Sequence, residues 1–195
     1  MKELIKEMEE YASENNVPII QKDSIIYIMK YIKENNIKNI LEIGSAIGYS
    51  AILMASSDLD VTVTTIERDE SRYMECLKNI KKCGLDKRIS VVYQDALEMN
   101  LTGVSYDLIF IDAAKGQNIK FFEKYQNFLN PNGTIITDNI NFHGYVGHSE
   151  EIESKNLKEL VQKIEDYVQY LKDKDDYTTV FIDIGDGLSV SKKNN

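Results

Sequence analysis

NILEIGSAIGYS, residues 39 to 50, is the stretch most informative about the fold: a short apolar run ends in a glycine-containing loop that leads into a helical segment. Gly44 and Gly48 allow the backbone to turn tightly and to approach a ligand closely. Ser50 can cap the following helix, which we predict from about Ser50 to Ser56. A strand, a glycine loop and a helix in this order are typical of the ligand-binding end of a parallel sheet, although such a loop also occurs as an ordinary turn.

The rest of the chain continues the alternation of strands and helices. Further apolar runs are separated by segments with helical spacing, one of them predicted from about Gln117 to Leu129; the runs are VTVTTIE, ISVVYQD, DLIFID and GTIITDN. Short, almost wholly apolar strands are typical of a parallel sheet covered on both faces. The terminal YTTVFIDIGDGLSVSKK predicts two strands around a Gly-Asp-Gly turn. We therefore predict an α/β fold: a Rossmann-like, doubly wound, mostly parallel seven-stranded sheet with an antiparallel C-terminal hairpin strand and extra N-terminal helices.

Length and composition limit the possible classes of protein. The 195 residues are 43% hydrophobic and 28% charged, which predicts one domain over residues 1–195, with residues 1–36 as an N-terminal helical extension. No segment approaches the roughly 20 apolar residues needed to span a bilayer, so we expect a cytoplasmic protein with no membrane partner. The net charge of -9 argues against non-specific binding to nucleic acid. Cys76 and Cys83 are expected to be structural rather than paired or zinc-binding.

Acidic side chains follow the predicted strands at the edge where a parallel sheet binds its ligands. Glu67 lies 23 residues after Gly44, close to the spacing of roughly 20 at which an acid contacts ribose hydroxyls in nucleotide-binding folds. Asp95 and Ala96 follow the third strand and suit the edge of an adenine ring. This end of the sheet is therefore predicted to bind a nucleoside.

The loop itself argues against a dinucleotide such as NAD. Ala46 stands where the second glycine of a G-x-G-x-x-G motif belongs, and Glu42, two residues before Gly44, would repel a diphosphate. An acid at this position suits a ligand with an amino-acid cation and no phosphate, which describes S-adenosylmethionine. Simple solvation of Glu42 at a strand end is the alternative.

Two further strand ends carry oxygen ligands, in IDAAK (111–115) and TDN (137–139). Adjacent parallel strands would bring Asp112, Asp138 and Asn139 to one place. Such hard oxygen ligands favour Mg²⁺, with Mn²⁺ or Ca²⁺ as alternatives. Asp and Asn are also common where a strand gives way to a turn, so this interpretation depends on the two ends lying side by side.

EIGSAIGYSA, TIERD around Glu67, IDAAKGQ and ITDN together resemble the cation-dependent O-methyltransferases, the family of catechol and caffeoyl-CoA O-methyltransferases. The resemblance spans nearly the whole chain and ends in GDGLSVSKK. It implies an S-adenosylmethionine site, a metal site, and Lys115 as the candidate catalytic base, with Asp112 also near the cofactor. The implied cofactor residues are Ile20, Glu42, Gly44, Ser50, Glu67, Asp95, Ala96 and Asp112, and the implied metal ligands are Asp112, Asp138 and Asn139.

The short length, the NVPIIQ loop and IDAAKGQ look most like the bacterial branch that methylates 5-hydroxyuridine at the wobble position of tRNA. The resemblance therefore favours the tRNA anticodon loop as substrate, with a homodimer as the expected assembly. A small catechol-like molecule with neighbouring oxygens is the alternative, and a non-catalytic nucleotide-binding module is a remote one. Asn118 and His143 depart from the family at the substrate side. A phosphate-binding rim would consist of Lys22, Lys115, Lys120, Lys124 and His143.

Overall fold

The helices and strands of the computed structural model follow the predicted alternation. The structure describes residues 1–141, 144, 146, 152 and 154–194, and His143 lies outside them. The α-helices are α1 Lys2–Glu14, α2 Lys22–Glu34, α3 Tyr49–Ala55, α4 Glu70–Lys82, α5 Asn118–Tyr125 and α6 Lys155–Lys172. The strands are β1 Asn39–Ile43, β2 Thr62–Glu67, β3 Ile89–Tyr93, β4 Tyr106–Ile111, β5 Leu129–Asp138, β6 Tyr177–Ile182 and β7 Leu188–Lys193.

The strands form one seven-stranded sheet in the order β3-β2-β1-β4-β5-β7-β6. Strands β1 to β5 pair in parallel, whereas β7 pairs antiparallel with both β5 and β6. The predicted sheet and its antiparallel C-terminal hairpin are therefore confirmed. The strand order reverses between β1 and β4, and a crevice outside the carboxyl ends of the strands at such a point is the usual ligand site of this architecture.

The sheet has a buried core on each face. Neighbouring residues such as Ile135 and Ile136 are both fully buried, yet they belong to different apolar clusters because successive side chains of a strand point to opposite faces. Helices α1 to α4 supply apolar residues to one cluster, and α5 and α6 supply the other. This explains why the strands read as continuous apolar runs rather than as alternating ones.

One predicted helix is shorter than expected. The segment predicted from about Gln117 to Leu129 is a single turn of 3-10 helix over Lys115–Gln117, then α5, then a second 3-10 turn over Gln126–Phe128. The helix ends early because Leu129 already pairs with Tyr106 in the sheet. Strand β5 is consequently longer than the predicted GTIITDN run.

Two expectations from composition can be compared with the fold. Cys76 is buried, Cys83 is partly buried, and both are free thiols. Over the described part of the chain, no helix combines the length and the apolar character that crossing a bilayer requires. The longest helix of that part, α6, has 18 residues and interleaves charged side chains with its apolar ones.

Candidate functional site

A cavity of about 540 Å³ opens at the carboxyl ends of β1, β2, β4 and β5, where the strand order predicts a ligand site. This volume lies in the range typical of cofactor pockets. Ten of the predicted site residues line it: Ile20, Gly44, Ser50, Glu67, Asp95, Ala96, Asp112, Lys115, Asp138 and Asn139. The fold thus gathers on one cavity residues that lie far apart in the sequence.

The glycine loop after β1 touches the loop after β4. Gly44 has φ +98°, and a Cβ atom there would overlap the backbone carbonyl oxygen of Asp112. The Asp112 N–H donates to the carbonyl oxygen of Ile43 at 3.0 Å, which fixes the two loops side by side. A residue with a side chain at position 44 would separate them. The predicted cofactor end and the predicted metal end of the cavity are consequently neighbours.

Ser50 does not cap α3, contrary to the prediction. The helix begins at Tyr49, and its N-cap is Gly48, which has φ +84° and offers no side chain. The Ser50 hydroxyl instead donates to Glu42 Oε1, and the Thr65 hydroxyl donates to Glu42 Oε2 at 2.5 Å. Ser50 therefore joins the cavity wall to the acid behind it.

Glu42 is fully buried and lies behind the cavity wall rather than on it. Burial raises the pKa of this carboxyl to about 7, although the two hydroxyl donors oppose the shift; the charges of Asp112 and Glu67 raise it further. A buried carboxyl of this kind favours a positive charge on its ligand side. Its direct contact with a cofactor stays a prediction.

The carboxylate of Glu67 is held by the backbone of two loops. Oε2 accepts the Ala46 N–H at 2.9 Å, and Oε1 accepts the N–H groups of Arg68 and Asp69, each at 2.9 Å. A carboxylate has about four acceptor sites, so one remains on Oε2 for a ligand hydroxyl. The contact of Glu67 with ribose stays a prediction.

Asp95 and Ala96 are also fixed in place. Asp95 Oδ1 accepts the Leu97 N–H at 2.8 Å, and Oδ2 accepts from Arg68 Nη1 at 3.2 Å. The carbonyl oxygen of Ala96 accepts the Tyr125 hydroxyl at 2.6 Å. The loop after β3 is therefore a rigid part of the cavity wall.

Strands β4 and β5 bring the predicted metal ligands together. Ile111 pairs with Thr137, so Asp112 and Asp138 follow at the same level of the sheet. Asn139 has φ +64°, a left-handed conformation that Asn tolerates better than most residues. This turn interrupts the alternation of a strand, which would have sent Asp138 and Asn139 to opposite faces. Both side chains consequently face one cavity.

The charges at this end of the cavity are incompletely balanced. Asn139 Nδ2 donates to Asp138 Oδ2 at 2.7 Å, whereas Asp138 Oδ1 is buried with no hydrogen-bond partner among the described residues. Burial raises the pKa of both Asp112 and Asp138, and the charge of Asp112 raises that of Asp138 further; Lys115 has the opposite effect on both. A cation would satisfy the unpartnered oxygen.

The donor set fits a hard divalent cation. Two carboxylates and an amide oxygen are ligands that Mg²⁺, Mn²⁺ and Ca²⁺ accept, and the cavity leaves room for further oxygen ligands. Over the described ranges, no group of three or more His, Cys, Asp or Glu side chains offers an alternative metal site. Asp112, Asp138 and Asn139 are thus the residues that could hold the ion.

The structure adds cavity residues that the sequence did not reveal. Tyr49, Asp186, Gln21, Arg68 and Gln117 lie within motifs quoted above, but no local pattern assigned them to the site, because their contribution depends on the turn of each loop. Arg72 lies outside those motifs. Asn118, which was predicted to face substrate, is buried at the start of α5. Within the described part of the chain, the nearby residues Gln117 and Phe121 line the cavity, whereas Asn118 does not.

The predicted phosphate-binding rim does not form as a unit. Lys22 Nζ pairs with Glu9 Oε2 at 2.7 Å, and Lys124 Nζ donates to the carbonyl oxygen of Leu97 at 2.5 Å. Among the rim lysines within the described residues, only Lys115 lines the cavity. Two of the five predicted rim residues are thus engaged elsewhere, and contact of a polyanion with the others stays a prediction.

Comparison with known proteins shows the family to which the chain belongs. The family model of the O-methyltransferases matches residues 1–194. A crystal structure of a candidate caffeoyl-CoA O-methyltransferase from Staphylococcus aureus superposes with a TM-score of 0.93 and is 41% identical, with 97% of this chain and 92% of that chain covered. The tapetum-specific methyltransferase 1 of Arabidopsis thaliana is 29% identical over 98% of this chain and 86% of its own length.

A more distant solved structure carries the spent cofactor. The O-methyltransferase of Bacillus cereus in complex with S-adenosylhomocysteine has a TM-score of 0.86 and 23% identity, with 98% of this chain and 91% of that chain covered, which shows a shared fold. The family match over essentially the whole chain, together with the cavity at the strand ends, identifies the activity class. The chain belongs to the O-methyltransferase family and is an S-adenosylmethionine-dependent O-methyltransferase.

Proposed function

We propose that this enzyme methylates one of two neighbouring oxygens on a planar ring, with a divalent cation held by Asp112, Asp138 and Asn139. Mg²⁺ is the preferred ion, and Mn²⁺ or Ca²⁺ are alternatives. The observation that carries the proposal is Asp138 Oδ1, which lies beside a second carboxylate and is buried with no hydrogen-bond partner among the described residues. When bound, such a cation supplies a Lewis acid that fixes two acceptor oxygens and lowers the pKa of a hydroxyl.

The residues of the chain align the reaction. Methyl transfer is an in-line displacement, so its rate depends on how well the acceptor oxygen and the methyl carbon are oriented. The contact between the loops at Gly44 and Asp112 supports a cofactor end that would lie next to the proposed ion-binding end. Glu67 would hold the ribose and Asp95 the adenine, which leaves the sulfonium carbon facing the acidic end of the cavity.

Lys115 lies on the same cavity wall as the proposed ligands. Its charge acts on both Asp112 and Asp138, so it is near the place where the acceptor hydroxyl loses its proton. A nearby ammonium stabilises the resulting anion. Lys115 is therefore the proposed catalytic side chain of the protein.

5-Hydroxyuridine in the anticodon loop of tRNA is the preferred acceptor. Its O4 and O5 are neighbouring ring oxygens, and a base in a single-stranded loop can be splayed into a pocket. The resemblance of the NVPIIQ and IDAAKGQ segments to the bacterial tRNA-modifying branch supports this choice. The second candidate is a small catechol-type molecule, because a curated relative from Niastella koreensis is a catechol O-methyltransferase, 31% identical over 53% of this chain and 49% of its own length.

The two acceptors are separated by one assay. Purified enzyme is incubated with methyl-labelled S-adenosylmethionine and either tRNA that contains 5-hydroxyuridine or a catechol, each with Mg²⁺ or with EDTA. Methoxyuridine in digested tRNA, formed only with Mg²⁺, is the expected result. A methylated catechol without labelled tRNA would favour the second candidate, and equal product in EDTA would contradict the cation site.

A further inference from the structure

The turn between β6 and β7 brings a further acid to the cavity. Asp186, in the Gly185-Asp186-Gly187 turn, lines the same cavity as Asp138 and Asn139. Strand β7 pairs antiparallel with β5, and Leu188 is the partner of Asp138. Asp186 therefore lies two residues before the strand partner of a proposed metal ligand.

Close packing fixes this turn on both sides. Gly185 has φ +60°, and a Cβ atom there would overlap the Ser24 hydroxyl of α2. Gly187 has φ +83°, and its Cβ would lie 2.8 Å from Asn141 Cβ. Only glycine fits such positions without strain. The turn is thus held between α2 and the segment that follows β5.

Backbone hydrogen bonds tie the turn to the ion-binding end of the cavity. The Asn141 N–H donates to the carbonyl oxygen of Asp186 at 2.8 Å, and the Ile140 N–H donates to that of Gly187 at 3.1 Å. The segment that carries Asp138 and Asn139 and the turn that carries Asp186 are consequently one connected unit. The position of Asp186 beside the cavity is built into the fold.

Several acidic side chains share this end of the cavity. The charge of Asp186 acts on Asp138, so the two carboxyl groups are close enough to interact. Asp112, Asp138 and Asp186 bring three carboxyl groups to this cavity, together with the ammonium of Lys115. Asp138 Oδ1 is buried and, within the part of the chain that the structure describes, accepts no hydrogen bond, which independently indicates a ligand at this point. Like charges in a poorly solvated site repel strongly without one.

We propose that Asp186 is a third carboxylate of the cation site, outside the direct ligand set, and that it tightens the binding of a divalent cation. It contributes its charge and a hydrogen-bond acceptor at the edge of the site, while Asp112, Asp138 and Asn139 remain the ligands. This inference rests on the cation site of the proposed function. Groups that surround direct metal ligands in this way typically alter metal affinity by about 10- to 100-fold.

The test is equilibrium binding of Mn²⁺ to the purified full chain, followed by electron paramagnetic resonance. Asp186→Asn is expected to raise the Kd for Mn²⁺ about tenfold. Asp183→Asn, an exposed acid on the same hairpin, serves as the matched control and should leave the Kd unchanged. Binding of S-adenosylhomocysteine without metal should be equal in all three proteins.

Each other outcome contradicts a defined part of the inference. A wild-type Kd in Asp186→Asn would overturn the role of Asp186 and leave the proposed function intact. Loss of Mn²⁺ binding as complete as in Asp138→Asn would make Asp186 a direct ligand, against the proposal. Absence of Mn²⁺ binding by the wild-type chain would overturn the cation site itself. If Asp186→Asn does not fold, Asp186→Ser, which suits a turn, takes its place in the same measurement.

Discussion

At the scale of single residues, the site depends on a few backbone conformations as much as on side-chain chemistry. Asn139 adopts φ +64° and thereby turns its side chain toward the cavity that Asp138 already faces. Gly44 adopts φ +98° and lets the loop after β1 lie on the loop after β4. Both positions determine where a ligand can sit.

Asp138→Ala should abolish cation-dependent turnover. Removing this carboxylate deletes one of two proposed charged ligands, so we expect kcat to fall by at least about a hundredfold. The affinity for S-adenosylhomocysteine, measured by calorimetry without metal, should change by less than about twofold, since Glu67 and Asp95 are untouched. Undiminished turnover in this variant would rule out Asp138 as a ligand.

Lys115 can be tested as a charge and as a base with two substitutions. Because its ammonium lies beside two carboxyl groups, we expect its charge to matter more than proton uptake. Lys115→Met should lower kcat by about a hundredfold, whereas Lys115→Arg, which stays charged and cannot take up a proton, should keep at least about a tenth of the activity. Equal losses in both variants would indicate that Lys115 is the base.

Gly44→Ala should severely destabilise the fold. The substitution combines a left-handed backbone conformation with overlap at the Asp112 carbonyl, together about 3 kcal/mol or more of unfolding free energy. Gly84→Ala is the matched control, because Gly84 has φ +67° and an added Cβ there would meet nothing within 4 Å, so only the backbone cost of about 1 kcal/mol applies. Urea unfolding compares the two, and equal losses would contradict the role of the loop contact.

At the scale of elements, the N-terminal part of the chain contributes one wall of the cavity. The loop between α1 and α2 contributes Pro18, Ile19, Ile20 and Gln21 to it. Glu9 of α1 connects this wall to the rest of the site: its Oε1 accepts the Tyr49 hydroxyl at 2.8 Å, and its Oε2 accepts Lys22 Nζ at 2.7 Å. The side chain of Glu9 thus connects α1 to both α2 and α3.

Glu9→Ala should weaken cofactor binding while leaving the chemical step nearly unchanged. Tyr49 lines the cavity, and loss of its acceptor releases α3 from α1. For a partly exposed charged hydrogen bond we expect about 1 kcal/mol, or roughly a fivefold rise in KM for S-adenosylmethionine. Glu10→Ala, which removes only the exposed pair with Lys6, is the control. An effect on kcat alone would contradict this role.

At the scale of the whole molecule, one sheet organises two cores and a single ligand edge. Both faces of β1, β4 and β5 are buried, so the polar groups at their carboxyl ends are surrounded by apolar structure. Burial then raises the pKa values of Glu42, Asp112 and Asp138 together. Ionisation of these three carboxyl groups is therefore unfavourable in the ligand-free protein, and a bound cation or cationic cofactor would make it more favourable. Whether two copies associate is a separate prediction, which light scattering would test.

The stability of the ligand-free protein should fall as pH rises through the titration of Glu42. The pKa of this carboxyl is about 7 in the folded protein and 4.5 for an ordinary glutamate, so the native state binds the proton more tightly and loses stability from about pH 4.5 to about pH 7. The loss attributable to Glu42 is about 3 kcal/mol. Denaturant unfolding of wild type and Glu42→Gln across this range isolates it. A difference between them that does not vary with pH would contradict the assignment.

Sequence alone was sufficient to predict the sheet, its antiparallel end and several of the residues that line the cavity. Apolar runs of strand length and the acids that follow them are local patterns, and parallel strands place such ends on one edge. Asp112, Asp138, Asn139, Glu67 and Asp95 could therefore be identified from order alone. The family resemblance added Ile20 and Lys115, whose own neighbourhoods carry no comparable signal.

Tertiary packing determined which acidic groups line the cavity and which lie behind its wall. Glu42 is buried behind Ser50, and Asp186 reaches the cavity, because of contacts between elements distant in the chain. A periodic pattern specifies which face of a strand is apolar. It does not specify how a loop folds or which loops touch, because these depend on the packing of the whole fold. The sequence predicted which acidic residues lie near the ligand edge, whereas their burial in the folded protein determined which of them face the cavity.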